Sequence, residues 1–317
     1  MNPDIFAEWA RRQGLRVYAS VSIQWIAAGP QILQSFPYDE ETRPAQDELR
    51  SLFKTSKAIA LRYSTPCSAP EGKISYHVVF EGHELKYETL PKKVRHDIQH
   101  GLDYCQYRPV SLAMLGDQGW PLREETLIRQ KRQGAETQAW WSRLCASAEG
   151  LPGFEAWGAM KDGRLVASIF TYTNGGTASI LYQQSLTAHL KYGVNNTLAF
   201  SFVNDTLKKK KASRIFYGLH SLDAPPSVDE FKFRMGFRAK PVRQRVVFNP
   251  IVAPIFNRAT HAGIKVAHQL FPGNYSLAKA EGMLHFYRQG KLPLSEQEWP
   301  GVLLEQKDEI ISRLSQP

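Results

Sequence analysis

The sequence predicts an α/β protein of the α+β kind, with a mixed, mostly antiparallel central sheet flanked by helices and arranged as two related lobes. Three observations carry this. Residues 154–184 alternate apolar and polar positions around two turn signals, Asp162-Gly163 and Asn174-Gly175-Gly176, which marks a meander of three antiparallel strands. Leu198, Phe202, Val203 and Leu207 then form a stripe at helical spacing, so a helix follows the meander. Finally, strand-like and helix-like stretches alternate along the chain, and 317 residues fit two ordinary domains better than one.

The elements can be justified in order. Ile5, Phe6, Trp9 and Ala10 give residues 4–14 a helical face that ends at Gly14. Residues 15–26 are strand-like, 37–44 turn-rich and acidic, 45–56 helical, and 58–63 a clear alternating strand. After a loop at 66–72 and an apolar string from Tyr76 to Tyr87, residues 90–101 read as a helix, with Pro91 in its first turn and Gly101 after its last. Residues 105–115 are expected to form a strand, and 122–148 a long polar helix or helix pair carrying Trp140 and Trp141. Beyond the meander, a helix over 195–210 ends in four lysines that complement its negative dipole end. A strand over 213–218, a final strand over 241–248 and a helical tail over 251–317 complete the chain. The expected division is 1–120, 121–250 and 251–317, the last a helical extension.

Composition excludes several classes. With 43% hydrophobic residues the chain can bury a sizeable core, so it is not intrinsically disordered as a whole. A formal charge of +10 favours an anionic partner: nucleic acid, a phosphorylated cofactor or an anionic membrane surface touched peripherally. Cys67, Cys105 and Cys145 lie far apart, so neither a disulfide framework nor a zinc site is expected, and a reducing cytoplasm is the expected location. No apolar run is long enough to span a bilayer, and Met1-Asn2-Pro3-Asp4 is unlike a signal peptide. The chain lacks Gly-x-Ser-x-Gly, Gly-x-x-x-x-Gly-Lys-Ser/Thr and His-Glu-x-x-His strings, which removes support for serine hydrolase, P-loop and zincin chemistry. His96 and His100 share a helical spacing but no further ligand pattern, so no metal is expected.

Three strings then fall in a telling order: Lys161-Asp-Gly-Arg-Leu-Val-Ala-Ser-Ile-Phe170, Leu190-Lys-Tyr-Gly-Val-Asn-Asn-Thr-Leu-Ala-Phe200 and Phe231-Lys-Phe-Arg-Met-Gly-Phe237. A glycine-turn hairpin before a central strand, a glycine-containing entry to a helix, and an aromatic-Lys-x-x-x-Gly-Phe string resemble the core of the GNAT-like acyltransferase superfamily, in particular its FemABX-related branch of two-lobed proteins. The resemblance covers residues 154–248. It implies transfer of an acyl group from an activated donor to an amine (an amino sugar, amino acid or peptide) by direct attack in a ternary complex. Acyl-CoA is the expected co-substrate, and aminoacyl-tRNA, which FemABX-type enzymes use, is the alternative. A non-catalytic nucleic-acid or anionic-surface binder on the same fold is a further alternative.

Candidate residues follow. A helix entry presents free N–H groups and a positive dipole end, so Lys191, Tyr192, Gly193, Val194, Asn195 and Asn196 are expected to hold a donor phosphate. The loop keeps Gly193 but has Leu190 and Asn195 where the resembling enzymes carry a basic or amide residue and a last small one. Lys232 is implied to lie near the acyl carbonyl, where a fixed cation stabilises the developing oxyanion. Tyr217, His220 and Asp223 sit at the end of a strand where ligands gather in open sheets, and each can take a proton from the amine. Lys92, Lys93, Arg95, Arg129 and Arg132 are candidate substrate or anion contacts, which could include a tRNA backbone. A main-chain N–H along 168–171 is a further candidate for polarising the carbonyl.

Overall fold

In a computed structural model, residues 3–29, 31–130, 132, 136–221, 227–271 and 273–315 are described. The chain begins with α1 (Pro3–Arg12), β1 (Val17–Ala19), β2 (Gln24–Gly29), β3 (Ile32–Phe36), α2 (Gln46–Ser56), β4 (Ala60–Thr65) and β5 (Lys73–Glu81). It continues through α3 (Lys92–Tyr104), β6 (Gln106–Val110), α4 (Leu112–Arg129), α5 (Gln138–Ala148), β7 (Phe154–Lys161), β8 (Arg164–Asn174) and β9 (Thr177–Ser185). Then come α6 (Val194–Lys208), β10 (Arg214–Leu219), α7 (Ser227–Arg234), β11 (Arg238–Phe248), α8 (Arg258–Leu270), α9 (Tyr275–Gln289) and α10 (Lys307–Ser315).

These elements fold into two compact units, each made of separate stretches of chain. One comprises Met1–Ile5, Val78–Gly218 and Pro225–Arg238, and the other Phe6–His77, Leu219–Ala224 and Ala239–Pro317. The units cross the expected boundaries at 120 and 250, because the last strand, β11, pairs with β4 from early in the sequence. That long-range pairing leaves no trace in local composition.

In the first unit the strands lie in the order β10-β9-β8-β7-β6, antiparallel except for the parallel β9 and β10. The meander forms as its turns dictate: Asp162 and Gly163 both adopt positive φ (49° and 77°), as a two-residue hairpin turn requires. Helices α4 and α6 both pack on β8, which is why eight consecutive residues of that strand are buried rather than alternating. In the second unit the order is β1-β2-β3-β4-β11, with only β3 and β4 parallel, and α2 covers Trp25, Leu33, Leu61 and Tyr63 with Leu49, Leu52 and Phe53.

Several local expectations are corrected. Gly101 lies inside α3 rather than after it, because a side chain there would meet Thr197 Oγ1 of α6 at 2.1 Å. The strand expected over 105–115 stops at Val110, and α4 begins at Leu112 and runs through Pro121. Tertiary contacts hold that first half helical: Trp141 donates to the Leu115 carbonyl (3.0 Å) and Ser142 to that of Gly116 (3.3 Å). Strand β3 was not foreseen, and neither was the helix α7, whose last residues, Phe231 to Arg234, open the aromatic-Lys string.

One buried side chain ties a loop of the first unit to α6. Asn204 donates to the Leu85 carbonyl (3.1 Å) and accepts from its N–H (2.9 Å). Asn204→Ala leaves both backbone groups buried without partners, so urea unfolding is expected to show a loss of about 2–4 kcal/mol.

Candidate functional site

The site grows from a divergence of two strands. β9 and β10 pair only from Arg214 opposite Thr177 to Phe216 opposite Ser179, after which they separate. On its other edge β9 carries a bulge, since Phe170 pairs with Tyr182 and Thr171 with Ile180, leaving Leu181 without a partner on β8. The bulge falls beside the 168–171 stretch. Past the last parallel pair, Tyr217 of β10 donates its hydroxyl to Gln183 Oε1 of β9 across the gap, and Gln183 Nε2 donates to the Asn195 carbonyl at the start of α6 (3.1 Å).

Lys232 joins this group. Its ammonium stands 5.1 Å from the centre of the Tyr217 ring and 2.7 Å from Asp229 Oδ1, one turn earlier on α7. Both side chains are nearly enclosed, at 12% and 10% exposure, so their attraction is little screened by water. Phe231 and Phe237 lie edge-on to the same Tyr217 ring, with centres at 6.5 and 5.0 Å. Burial, reinforced by the Asp229 charge, raises the Tyr217 pKa far above neutrality. The phenol therefore stays protonated and acts as a hydrogen-bond donor, not as a base.

The entry to α6 has a second character. Gly193 is left-handed (φ 71°) and lies so close to α3 that a Cβ would come within 2.1 Å of the Asp97 carbonyl oxygen. The Asp97 carboxylate accepts from Asn196 Nδ2 (3.0 Å), and Thr197 Oγ1 donates to the Ile98 and Gly193 carbonyls. An acidic side chain thus stands in the first turn of α6, where the dipole favours an anion. Beside it, Tyr192 stacks on Tyr104 (3.8 Å between centres), Tyr104 is hydrogen-bonded to His189 (2.9 Å), and the Lys161 and Lys191 ammonium groups lie over Tyr104 and Tyr192.

No family model matches the sequence, and no curated protein is similar to it in sequence. The fold does have relatives among solved structures. FemX superposes with a TM-score of 0.53 at 9% identity, covering 79% of this chain and 93% of its own. A conserved protein from Bacteroides thetaiotaomicron superposes with a TM-score of 0.52 at 13% identity, covering 78% of this chain and 92% of its own. The fold is GNAT-like, of the kind that FemX has. At such identities the likeness concerns the fold alone, and the side chains must be judged on their own geometry.

On this GNAT-like frame, the first unit brings together Lys232, Tyr217 and, through Gln183, the loop from Lys191 to Asn196. His220 belongs to the second unit, where its ring stacks on Tyr76 (4.4 Å) and its Nδ1 is 3.2 Å from Ser75 Oγ. Asp223 lies outside the described residues. Arg129 is occupied by the end of β9, donating to the Ser185 carbonyl, Thr126 Oγ1 and Thr187 Oγ1 at 2.7 to 2.9 Å. Lys92 and Lys93 are exposed in the first turn of α3, Arg95 and Arg132 are half-buried, and among the described residues no contact links these four to Lys232. No helix of the described residues is long and apolar enough to cross a membrane.

Gln183, Asp97, Asp229 and Tyr104 were missed by sequence reasoning. Asp229 had a signal, since it precedes Lys232 by one helical turn. The other three come from distant stretches of chain, and only the fold assembles them.

Proposed function

We propose that the protein is a transferase that forms an amide by moving an acyl group from an activated ester to an amine. The observation that carries this reading is the gap between β9 and β10, bridged by Tyr217 and Gln183 and flanked by the enclosed cation Lys232. Unpaired β9 main chain at such a gap can donate N–H groups to an acyl carbonyl, and Lys232 adds positive charge in a site of low polarisability. The amine lone pair attacks the carbonyl carbon, a C–N bond forms, and the bond from carbon to the leaving oxygen or sulfur breaks. The proton lost by the amine is the one the leaving group takes up, and Tyr217, held protonated, serves beside it as a hydrogen-bond donor.

Two donors compete, and one observation separates them. Acyl-CoA needs the α6 entry for its pyrophosphate, yet Asp97 and the close approach of α3 at Gly193 put an acid and backbone there. An aminoacyl ester on tRNA has no such need. Its terminal base fits the stacked, lysine-flanked Tyr104 and Tyr192 rings, and the +10 charge suits its backbone. Aminoacyl-tRNA is therefore the favoured donor and acyl-CoA the second reading.

Calorimetric titration of the full chain with acetyl-CoA, a long-chain acyl-CoA, and charged and uncharged tRNA, at low and high salt, tests this. The expected result is salt-sensitive tRNA binding and consumption of aminoacyl-tRNA when an amine acceptor is added. Binding of a CoA ester without tRNA binding would make acyl-CoA the donor, and failure of both would remove the transferase reading.

A further inference from the structure

The second unit carries an apolar surface that its own core does not use. Among the described residues, Ile251 (86% exposed), Ile255 (60%), Val266 (54%), Leu270 (69%) and Phe271 (63%) concentrate large exposed apolar side chains into one short stretch. Scattered single exposures of this kind are ordinary, whereas clustering marks an interaction surface.

Helix α8 explains how the stretch is presented. Its inner side packs on the rest of the unit: Ile264 lies against the cluster of Phe248, Met283, Leu284 and Phe286, while His261 meets Arg288 (2.6 Å) and His268 meets Glu281 (2.6 Å) on α9. Its outer side, at the i, i+4, i+7, i+11 positions, is Ala259, Gly263, Val266 and Leu270, all exposed, with Phe271 directly after the helix. Arg258 and Lys265 flank this stripe, are exposed, and bond no carboxylate among the described residues. From residue 231 to residue 280 the sequence contains no Asp or Glu.

We propose that the outer side of α8 in the second unit, from Ala259 to Leu270 with Phe271 at its end, docks on an anionic lipid surface. An apolar stripe bordered by cations and free of acids matches the boundary between acyl chains and negatively charged headgroups. The same charge argues against a second copy as the occupant, since two such faces would bring like charges together. The inference does not rest on the transferase reading and uses none of its residues.

The test is co-sedimentation of the full chain with vesicles of phosphatidylcholine alone and of phosphatidylcholine mixed with phosphatidylglycerol. Binding is expected only to the mixed vesicles, reduced by high salt, and weakened at least tenfold by Val266→Asp with Leu270→Asp. Arg258→Gln with Lys265→Gln, which leaves the apolar stripe intact, is expected to lower it severalfold. Val21→Asp, at a side chain 97% exposed elsewhere on the unit, and Lys209→Gln with Lys210→Gln, in the lysine run of the other unit, should leave binding unchanged. The proposal is overturned if the mixed vesicles are not bound, if the lysine-run control weakens binding as much as the α8 variants, or if those variants instead dissociate a dimer that ignores vesicles. Circular dichroism melts of each variant separate loss of docking from loss of fold.

Discussion

Lys232→Ala is expected to lower turnover by about a hundredfold, the usual effect of removing one charge-stabilising group from an acyl-transfer site. The loss should fall on kcat more than on KM, because a cation that meets an oxyanion acts chiefly in the transition state. Arg234→Ala, an exposed cation two residues away on α7, is the matched control and should change little. A structural role predicts something else. Lys232 is paired with Asp229 at 2.7 Å in an enclosed setting, so Lys232→Ala removes the ion-pair cation of a buried carboxylate and lowers the melting temperature as well. Asp229→Asn leaves the ammonium without its partner but in place, so it should cost stability while retaining most of the turnover. If Asp229→Asn and Lys232→Ala lose activity equally and melt alike, the pair is a strut and the chemistry lies elsewhere.

Gly193→Ala is expected to destabilise the first unit by about 2–5 kcal/mol, read from urea unfolding. Two causes add: a left-handed backbone that L side chains avoid, worth about 1–2 kcal/mol, and a methyl group forced against the Asp97 carbonyl, worth about 1–3 kcal/mol. Gly150 separates them. It has nearly the same φ (73°) and open space where a Cβ would go, so Gly150→Ala should show the backbone cost alone. Equal losses at the two positions would mean that α3 does not press on the α6 entry, and the argument against a phosphate there would fall with it.

The parts of the molecule that could be read from the sequence are those governed by neighbours along the chain. The meander was legible because Asp162-Gly163 and Asn174-Gly175-Gly176 specify turns by themselves, and α6 because its stripe repeats at 3.6 residues. Local signals misled where distant packing overrides them. Gly101 looked like a helix end but is a contact point for Thr197, and residues 112–115 looked like strand but sit in a helix fastened to α5. The same division holds in the site. Lys232 and Tyr217 could be named as candidates from the order of the strings around them, whereas Gln183 and Asp97 enter the candidate site only when β10 and α3 arrive. His220 shares a strand end with Tyr217, and nothing local announces that the chain changes unit between them.

The pairing of β4 with β11 sets the order in which the protein can be made. Tyr63 and Arg245 lie opposite each other in that ladder, 182 residues apart in the chain. A ribosome must therefore finish the whole first unit before the second can close its sheet, and until then β4 presents an open, apolar edge. Closing so long a loop is entropically slow, and the exposed edge is a site for pairing with other chains in the interval. The meander, whose β7–β8 and β8–β9 pairings join neighbours along the chain, can form early. Folding is thus expected to be sequential, with the sheet of the second unit closed late, and the nascent chain most vulnerable to aggregation before β11 is made.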